Sequence, residues 1–300
     1  MNEREWLVEC FEQHRPHLKA VAYRMLGSLA EADDAVQDAW LRVNRSGIDG
    51  VDNVRAWLTR VVARVCLNAL RSRNGRREEP IGAHLPDPIV SLDDHLDPEQ
   101  QVLLADSVGL ALQVVLETLA PPERLAFVLH DMFDVPFDEI APLVGCSVEA
   151  ARQMASRARR RVRGSTPLPD AELVTQRRVV DAFTAAARDG DLQALIAVLD
   201  PNVVARSVAG PADPERTTVI RGADAVARAV VHGARTPATG VLRPALVNGA
   251  AGLVRIEGGQ PRAVWAFAVA RGRIVEIDML TDPERLRRLG LARTSESIRG

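Results

Sequence analysis

The residues best placed for chemistry lie mid-chain, in the segment DEIAPLVGCSVEAARQMASRARRRVR at 138–163. The segment predicts two helices joined at Gly145, and Ser147 is a good N-cap for the second. Apolar residues of the second helix recur at steps of three and four, which places them on one face. The opposite face is rich in arginine, which can contact DNA phosphates and guanine. This pattern predicts a helix-turn-helix whose second helix enters the major groove.

Seven polar residues near the start and on the outer face of that helix are the candidate DNA contacts: Ser147, Glu149, Arg152, Gln153, Ser156, Arg157 and Arg160. Arginine can read guanine, glutamine can read adenine and glutamate can accept a hydrogen bond from cytosine. No acidic residue between 150 and 163 opposes the arginines. The alternative is an amphipathic surface helix with a solvated basic face.

The composition is that of an ordinary globular protein with two or three domains. Its 300 residues are 47% hydrophobic and 26% charged, with a net charge of −2. The charge is uneven, because 54–77 is basic whereas 78–106 is acidic and contains prolines. Local basic stripes matter more than the total in a nucleic-acid binder.

The three cysteines, Cys10, Cys66 and Cys146, lie far apart and have no metal-ligand spacing. We therefore expect no metal and no cofactor, and a reduced cytoplasmic setting. The N-terminus lacks the pattern of a signal peptide. No apolar run has the length of a membrane span, so we expect no membrane contact.

The N-terminal half reads as two helical units separated by a linker. Helices are predicted near 5–28, 31–45 and 53–73, with a Gly- and Asp-containing loop at Asn44–Asn53. Residues 74–98 are predicted to be an exposed linker. A second helical unit runs from about 99 to 163, and Pro121 starts its middle helix.

After a break at 164–169 the pattern changes to short helices followed by strands. Helices are predicted at 171–189, 191–199 and 222–232, and strands near 203–208, 241–247, 251–257, 263–271 and 273–280. Helices followed by an antiparallel sheet indicate an α+β domain.

Two motifs resemble a known family. The segments LGSLAEADDAVQDAWLRV (26–43) and NVRAWLTRVVARVCLNALRSR (53–73) resemble region 2 of the extracytoplasmic-function (ECF) sigma factors of bacterial RNA polymerase. Residues 119–163 resemble their region 4, and the chain from 171 onward resembles a SnoaL/NTF2-like domain. The implied fold is multidomain: two all-α domains, followed by an α+β NTF2-like cone with a curved antiparallel sheet.

The resemblance also implies domain boundaries. They are region 2 at 1–75, a linker at 76–98, region 4 at 99–164, a short linker at 165–170, the NTF2-like domain at 171–290 and a tail at 291–300.

A sigma factor holds core polymerase, finds two promoter elements and opens the duplex. The resemblance implies that an exposed stripe on the second helix meets the clamp of the largest polymerase subunit: Asp33, Asp34, Gln37, Asp38 and Arg42. It implies that the third helix and the loop at 44–53 meet the −10 element, through Trp57, Arg60, Arg64, Asn68 and Arg71. The seven residues of the helix-turn-helix would meet the −35 element.

For the C-terminal domain, the resemblance implies control of activity by contact with regions 2 and 4. The motif at 281–286 supplies the candidate regulatory contacts Asp282, Pro283 and Leu286, and 206–211 stands where a Gly-rich loop is usual. A catalytic pocket lined by Asp278, His232 and Trp265 is the alternative for this domain, although Asp278 alternates away from its apolar neighbours and is expected to face solvent.

Two other functions remain open at this point. A helix-turn-helix regulator would bind operator DNA without polymerase, and an NTF2-like enzyme fused to a DNA-binding module would turn over a small molecule. The presence of both sigma-like regions favours a promoter-specificity subunit that is not itself an enzyme, with core polymerase and promoter DNA as its partners.

Overall fold

A computed structural model describes residues 3–46, 53–75, 85–92, 109–165, 172–209, 217–234, 239–289 and 291. The chain divides into two compact units. The first contains Met1–Ile81, Asp97–Asp106 and Gln113–Ser165, and the second contains Gly82–Leu96, Ser107–Leu112 and Thr166–Gly300. None of the described helices is long and apolar enough to cross a membrane.

The first unit is helical. Its three-helix part comprises α1 (Glu3–Leu26), α2 (Leu29–Ser46) and α3 (Val54–Gly75). Its four-helix part comprises α4 (Gly109–Glu117), which begins in the second unit, then α5 (Pro121–Phe127), α6 (Phe137–Val144) and α7 (Val148–Ser165), with a π-helical turn at Val128–Met132. Pro121 lies in the first turn of α5, as predicted, where its missing N–H costs nothing.

The end of α1 shows how the two parts of the first unit join. The last carbonyls of a helix have no partner within it and must find one elsewhere. The Gln113 side-chain amide donates to the carbonyls of Tyr23 and Arg24, both at 3.2 Å, and Arg124 donates to the carbonyl of Met25 at 2.8 Å. The four-helix part therefore caps a helix of the three-helix part.

Arg124 is held at this junction by a second bond. Its guanidinium also contacts Glu117 at 3.1 Å, and the two side chains are only 4% and 8% exposed. Gly27, which follows α1, has φ +74, and a Cβ there would lie 2.3 Å from the Glu117 carboxylate. Glycine is therefore favoured at this turn for its conformation, and a side chain there would also require the Glu117 carboxylate to shift.

The second unit is an α+β cone. Helices α8 (Leu173–Asp189), α9 (Leu192–Val198) and α10 (Ala223–Ala234) pack on one sheet, and α11 (Pro283–Arg288) follows the last strand. The strands are β1 (Val90–Ser91), β2 (Leu199–Val208), β3 (Thr218–Arg221), β4 (Val241–Val247), β5 (Ala250–Glu257), β6 (Gln260–Ala270) and β7 (Arg273–Leu280).

The sheet has the order β1-β4-β5-β6-β7-β2-β3. All neighbouring strands are antiparallel except β2 and β7, which are parallel. Two-residue turns whose residues both have positive φ join the strands from β4 to β7, as at Asn248-Gly249. Such turns match the twist of paired strands. This is the NTF2-like fold that the sequence resembles.

Several boundaries differ from the prediction. Strands β1 and β3 were not predicted, and α7 continues through Gly164 to Ser165, where a break was expected. The strand predicted near 203–208 is confirmed as part of β2, which begins earlier, at Leu199, and includes the first three residues of 206–211. The loop at 44–53 lies largely outside the described residues, as do the linker at 166–170 and most of the tail at 291–300.

The prediction of an exposed linker at 74–98 is wrong for its described part. Leu85, Ile89 and Val90 are buried in the second unit, together with Pro86 and Pro88. The reason is that Val90 and Ser91 pair with β4 as an added edge strand. An apolar run of this kind gains more from burial than a solvated linker would.

Candidate functional site

Helix α7 presents the arginine-rich face that the sequence predicts. The Ser147 hydroxyl accepts a hydrogen bond from the Ala150 N–H at 3.2 Å, which is the expected N-cap. Ala151, Ala155 and Ala158 are fully buried, so the opposite face points outward. Six of the seven candidate residues are exposed and Ser156 is half-buried: Ser147, Glu149, Arg152, Gln153, Arg157 and Arg160 form the exposed set.

Part of this positive charge is balanced from within the unit. Glu123 of α5 accepts from Arg157 at 2.8 Å and from Arg161 at 3.1 Å. Asp131 pairs with Arg159. These partners lie 28 or more positions away in the sequence, outside 150–163, where no acidic residue opposes the arginines. Exposed pairs of this kind contribute little stability and exchange readily for another anion.

Helix α3 carries the second set of candidate DNA contacts. Arg64, Asn68 and Arg71 are exposed, whereas Trp57 and Arg60 are half-buried. Asn53 caps the helix by accepting from the Ala56 N–H at 3.0 Å. The five residues therefore share one helix that begins at a defined cap.

Part of α3 faces the four-helix part of the same unit. Arg60 lies 3.5 Å from the Glu139 carboxylate of α6, and Arg71 donates to the Val144 carbonyl at 3.4 Å. These contacts use two candidate −10 residues. In this arrangement Arg60 and Arg71 are occupied by the helix-turn-helix, and DNA would have to displace it.

A histidine lies at the same junction. His17 contacts the Thr59 hydroxyl at 3.0 Å and Arg55 at 3.1 Å, and its ring packs edge-on against Phe133 at 5.3 Å. Burial, with Arg55 next, lowers the pKa of His17 to about 4. The imidazole is therefore neutral at neutral pH, which suits a contact with an aromatic ring.

Helix α2 presents the stripe predicted to bind polymerase. All five members are exposed: Asp33, Asp34, Gln37, Asp38 and Arg42. Asp33 pairs with Lys19 of α1 at 3.0 Å, and Leu41 beside the stripe is 43% exposed. The opposite face, with Ala32, Val36 and others, is buried. The stripe is therefore a charged surface with one exposed apolar side chain, Leu41, beside it.

Comparison with known proteins decides the family. Residues 10–76 match the family described as Sigma-70 region 2, and residues 109–162 match Sigma-70, region 4. The chain is 38% identical to the ECF RNA polymerase sigma factor SigJ of Mycobacterium tuberculosis over 289 residues, covering 92% of this chain and 91% of the relative. The chain belongs to the ECF RNA polymerase sigma factors.

A second relative and a solved structure agree with this assignment. A probable ECF sigma factor, SigI of Mycobacterium tuberculosis, is 36% identical to this chain. The match covers 95% of this chain and 97% of SigI. The crystal structure of M. tuberculosis SigJ superimposes with a TM-score of 0.75 at 34% identity, covering 93% of this chain and 98% of that one. The likeness to this sigma factor therefore includes the C-terminal domain. As a sigma factor, the chain acts with RNA polymerase and promoter DNA in transcription initiation.

The C-terminal domain of this sigma factor does not assemble the alternative catalytic pocket. Trp265 packs with the core on the helix side of the sheet, whereas Asp278 follows Ile277 of that core and therefore faces the other side. His232 is exposed on α10. Within the described residues, no group of three or more His, Cys, Asp and Glu side chains could hold a metal ion.

Asp278 is not solvated, contrary to the prediction. It is 3% exposed and lies with Glu276, which is also buried, against Arg206 of β2. Arg206 donates to both carboxylates, at 3.0 Å to Asp278 and at a shorter distance to Glu276. Burial, reinforced by the Glu276 charge, raises the pKa of Asp278 to about 8. The alternation of residues along β7 correctly predicted that Asp278 lies on the opposite face of the strand from Ile277. It did not predict that this face is buried.

The motif at 281–286, which supplies the candidate regulatory contacts, leads into α11. Asp282 caps the helix by accepting from the Glu284 and Arg285 N–H groups at 2.9 and 3.2 Å. Pro283 is in the first turn, and Leu286 is buried. A residue that the prediction omitted, Arg285, makes the outward contacts: it binds Asp87 and the Leu85 carbonyl.

Proposed function

We propose that this sigma factor binds the clamp of the largest polymerase subunit through the α2 stripe, the −10 element through α3 and the −35 element through α7. The observation that carries the proposal is the coexistence, in one helical unit, of an exposed acidic stripe and an exposed arginine-rich recognition helix. It acts in the cytoplasm, where polymerase is, without a cofactor and without catalysis of its own. The C-terminal domain adjusts its activity.

The proposal requires the first unit to open. The −10 and −35 elements lie about 25 base pairs apart, which is about 85 Å along B-form DNA at roughly 3.4 Å per base pair. In the folded unit, Arg60 of α3 is 3.5 Å from Glu139 of α6. Regions 2 and 4 therefore separate when both elements are bound, which frees Arg60 and Arg71 for DNA.

Run-off transcription with core polymerase tests the sigma role. The template would carry DNA from upstream of the chain's own gene, together with promoters selected from a randomised library. We expect a promoter-specific transcript that depends on this protein. Specific binding to promoter DNA without polymerase, together with no transcript from any template, would instead favour an operator-binding regulator.

Replacing Arg152 with alanine should weaken recognition of the −35 element. The side chain is 58% exposed, with Glu149 as its ion-pair partner at 3.3 Å and the Phe137 ring 6.0 Å from its guanidinium, so the change costs little stability. A bidentate contact with a base provides about 1–3 kcal/mol of discrimination, so transcription should fall about 5- to 150-fold. If Arg152 binds only a phosphate, the log-affinity versus log-salt slope should flatten by about 0.9 instead.

The matched control is Arg188→Ala, which removes an exposed arginine from α8 of the other unit. Transcript yield and binding to promoter DNA by the holoenzyme would be measured for both variants across a salt series. Equal transcription by Arg152→Ala and the parent at the selected promoter would remove Arg152 from the recognition surface.

A further inference from the structure

A single carboxylate, that of Glu123 on α5, holds two arginines of the recognition helix α7. One of its oxygens, Oε1, accepts a hydrogen bond from the Arg157 Nε at 2.8 Å, and the other, Oε2, accepts one from the Arg161 Nη1 at 3.1 Å. The Glu123 side chain is 12% exposed, whereas the Arg157 and Arg161 side chains are 47% and 54% exposed. The carboxylate is therefore the fixed member of the group, and the two guanidinium groups reach it from the solvent side.

The position of Glu123 is set by helix α5. The residue follows Pro121 and Pro122 in the first turn, where the helix dipole favours a carboxylate. The next two residues, Arg124 and Leu125, are buried, and α5 packs against α7. Because each carboxylate oxygen also has its own arginine donor, Glu123 cannot turn away without losing a charged hydrogen bond.

The bond to Glu123 uses the Nε of Arg157 and not the end of its side chain. A guanidinium has five N–H donors in a planar fork, and four of them are on the two terminal Nη atoms. Among the described residues, no other group accepts a hydrogen bond from Arg157. The two Nη atoms can make a bidentate contact with a phosphate or a guanine edge. Arg157 can therefore bind DNA and keep Glu123, instead of exchanging one anion for another.

Arg157 lies beside the outward face of α7. It comes four positions after Gln153 and three before Arg160, and residues at these separations are neighbours on a helix surface. All three side chains are exposed. The held arginine is therefore part of the surface that would enter the major groove.

Holding Arg157 in advance lowers the cost of binding DNA. Immobilising a long side chain at an interface weakens binding about two- to twelvefold, because rotamer freedom is lost. Glu123 imposes part of that loss in the free protein. We propose that Glu123 is a positioning residue for promoter recognition, which holds the Nε of Arg157 so that the two Nη atoms of this side chain meet the DNA of the −35 element. The proposal rests on the sigma role and on the contact of α7 with the −35 element proposed above.

The charge of Glu123 predicts an effect of the opposite sign. A carboxylate close to DNA repels the phosphates, so its removal alone would strengthen binding. Asp138→Ala is the matched control for Glu123→Ala, because Asp138 is an exposed carboxylate in the first turn of α6. Both variants remove one negative charge and one first-turn carboxylate from the same unit. The difference between them therefore reports the loss of positioning.

Binding would be measured for the full-length protein in holoenzyme with a fluorescent fragment of the selected promoter, at low temperature, where the duplex stays closed. Glu123→Ala should bind about two- to twelvefold more weakly than Asp138→Ala. The effect of Glu123→Ala should disappear in an Arg157→Ala background and persist in an Arg160→Ala background, since only Arg157 is coupled to Glu123. Binding by Glu123→Ala that equals or exceeds binding by Asp138→Ala would overturn the proposal.

Arg157→Lys distinguishes positioning from a structural role. Lysine has one ammonium group, so the same atom would have to serve both Glu123 and DNA. Glu123 then competes with DNA, and Glu123→Ala should strengthen binding in this background instead of weakening it. A residue that only stabilises the unit would weaken binding in both backgrounds when replaced. Weakening of equal size in the arginine and lysine backgrounds would overturn the proposal.

The sequence dependence of binding identifies the DNA group that Arg157 meets. For a guanine edge, Glu123→Ala should relax the base preference at one position of the −35 element. For a phosphate, it should weaken binding to all sequences alike, and Arg157→Ala should flatten the log-affinity versus log-salt slope by about 0.9. Parental binding by Arg157→Ala would overturn the positioning role while leaving the sigma role intact. No transcript from the parent on any template would overturn the sigma role and this proposal with it.

Discussion

Replacing Arg124 with alanine is expected to destabilise the helical unit by about 3–5 kcal/mol, because it removes one partner of a buried charged pair. Glu117 would remain buried without its guanidinium, and the Met25 carbonyl would lose its 2.8 Å hydrogen bond. The melting temperature of the unit should fall by about 10 °C. Calorimetry of the full-length protein measures this change.

The cost should come mainly from the carboxylate left behind. Adding Glu117→Gln to the Arg124→Ala variant should therefore recover part of the loss, because a neutral amide costs less to bury than a charge. Arg160→Ala is the matched control, since it removes an exposed arginine from the same unit and should change stability by less than about 0.5 kcal/mol. If Arg124→Ala melts like this control, Arg124 does not hold the junction between regions 2 and 4.

The junction also explains which features the sequence predicts and which it does not. The helices of the first unit and the turn at Gly145 follow from local signals: apolar spacing, the Ser147 cap, and a left-handed residue with φ +80 at Gly145. Such signals depend on residues within a turn or two of each other. The bond from Gln113 to the Tyr23 carbonyl joins residues 90 positions apart, and no local pattern encodes it.

The linker is the clearest failure of prediction. Its prolines and acidic residues are typical of solvated chain, and a two-residue strand is too short to show a period. Its burial depends on Asn248, which is 159 positions from Ile89, and on Arg285, which is 198 positions from Asp87. Both partners lie in another domain of the sequence. The exposure of the faces that carry the candidate DNA and polymerase contacts was easier to predict, because exposed faces follow from helix periodicity alone.

Replacing Asp278 with asparagine is expected to remove a pH dependence of stability. Burial raises the pKa of Asp278 from 3.8 to about 8, so the folded protein keeps this proton at neutral pH and the unfolded chain does not. Between these two values the folded state binds more protons, and its stability falls as the pH rises, by about 1.4 kcal/mol per pH unit. The fall ends once the pH passes the folded value of about 8.

The window from pH 6.5 to 8 isolates this group. The pKa of His17 is lowered from 6.5 to about 4. The stability that the neutral imidazole contributes to the folded protein is therefore lost only as the pH falls below 6.5. Burial raises the pKa of the Cys66 thiol from 9.0 to about 12, and that group affects stability only at higher pH. Across the window, the parent should lose about 2 kcal/mol that the variant retains.

Asparagine suits the site because it fills the same space and can accept from Arg206 and donate to Glu276. Urea unfolding of Asp278→Asn, the parent and a control, Asp181→Asn, would be measured at several pH values; Asp181 is exposed on α8. The parent and the control should share one slope, and Asp278→Asn should be nearly flat. Equal slopes in all three would mean that Asp278 is ionised in the folded protein. Arg206 would then balance two carboxylates, and the buried cluster would carry a net negative charge.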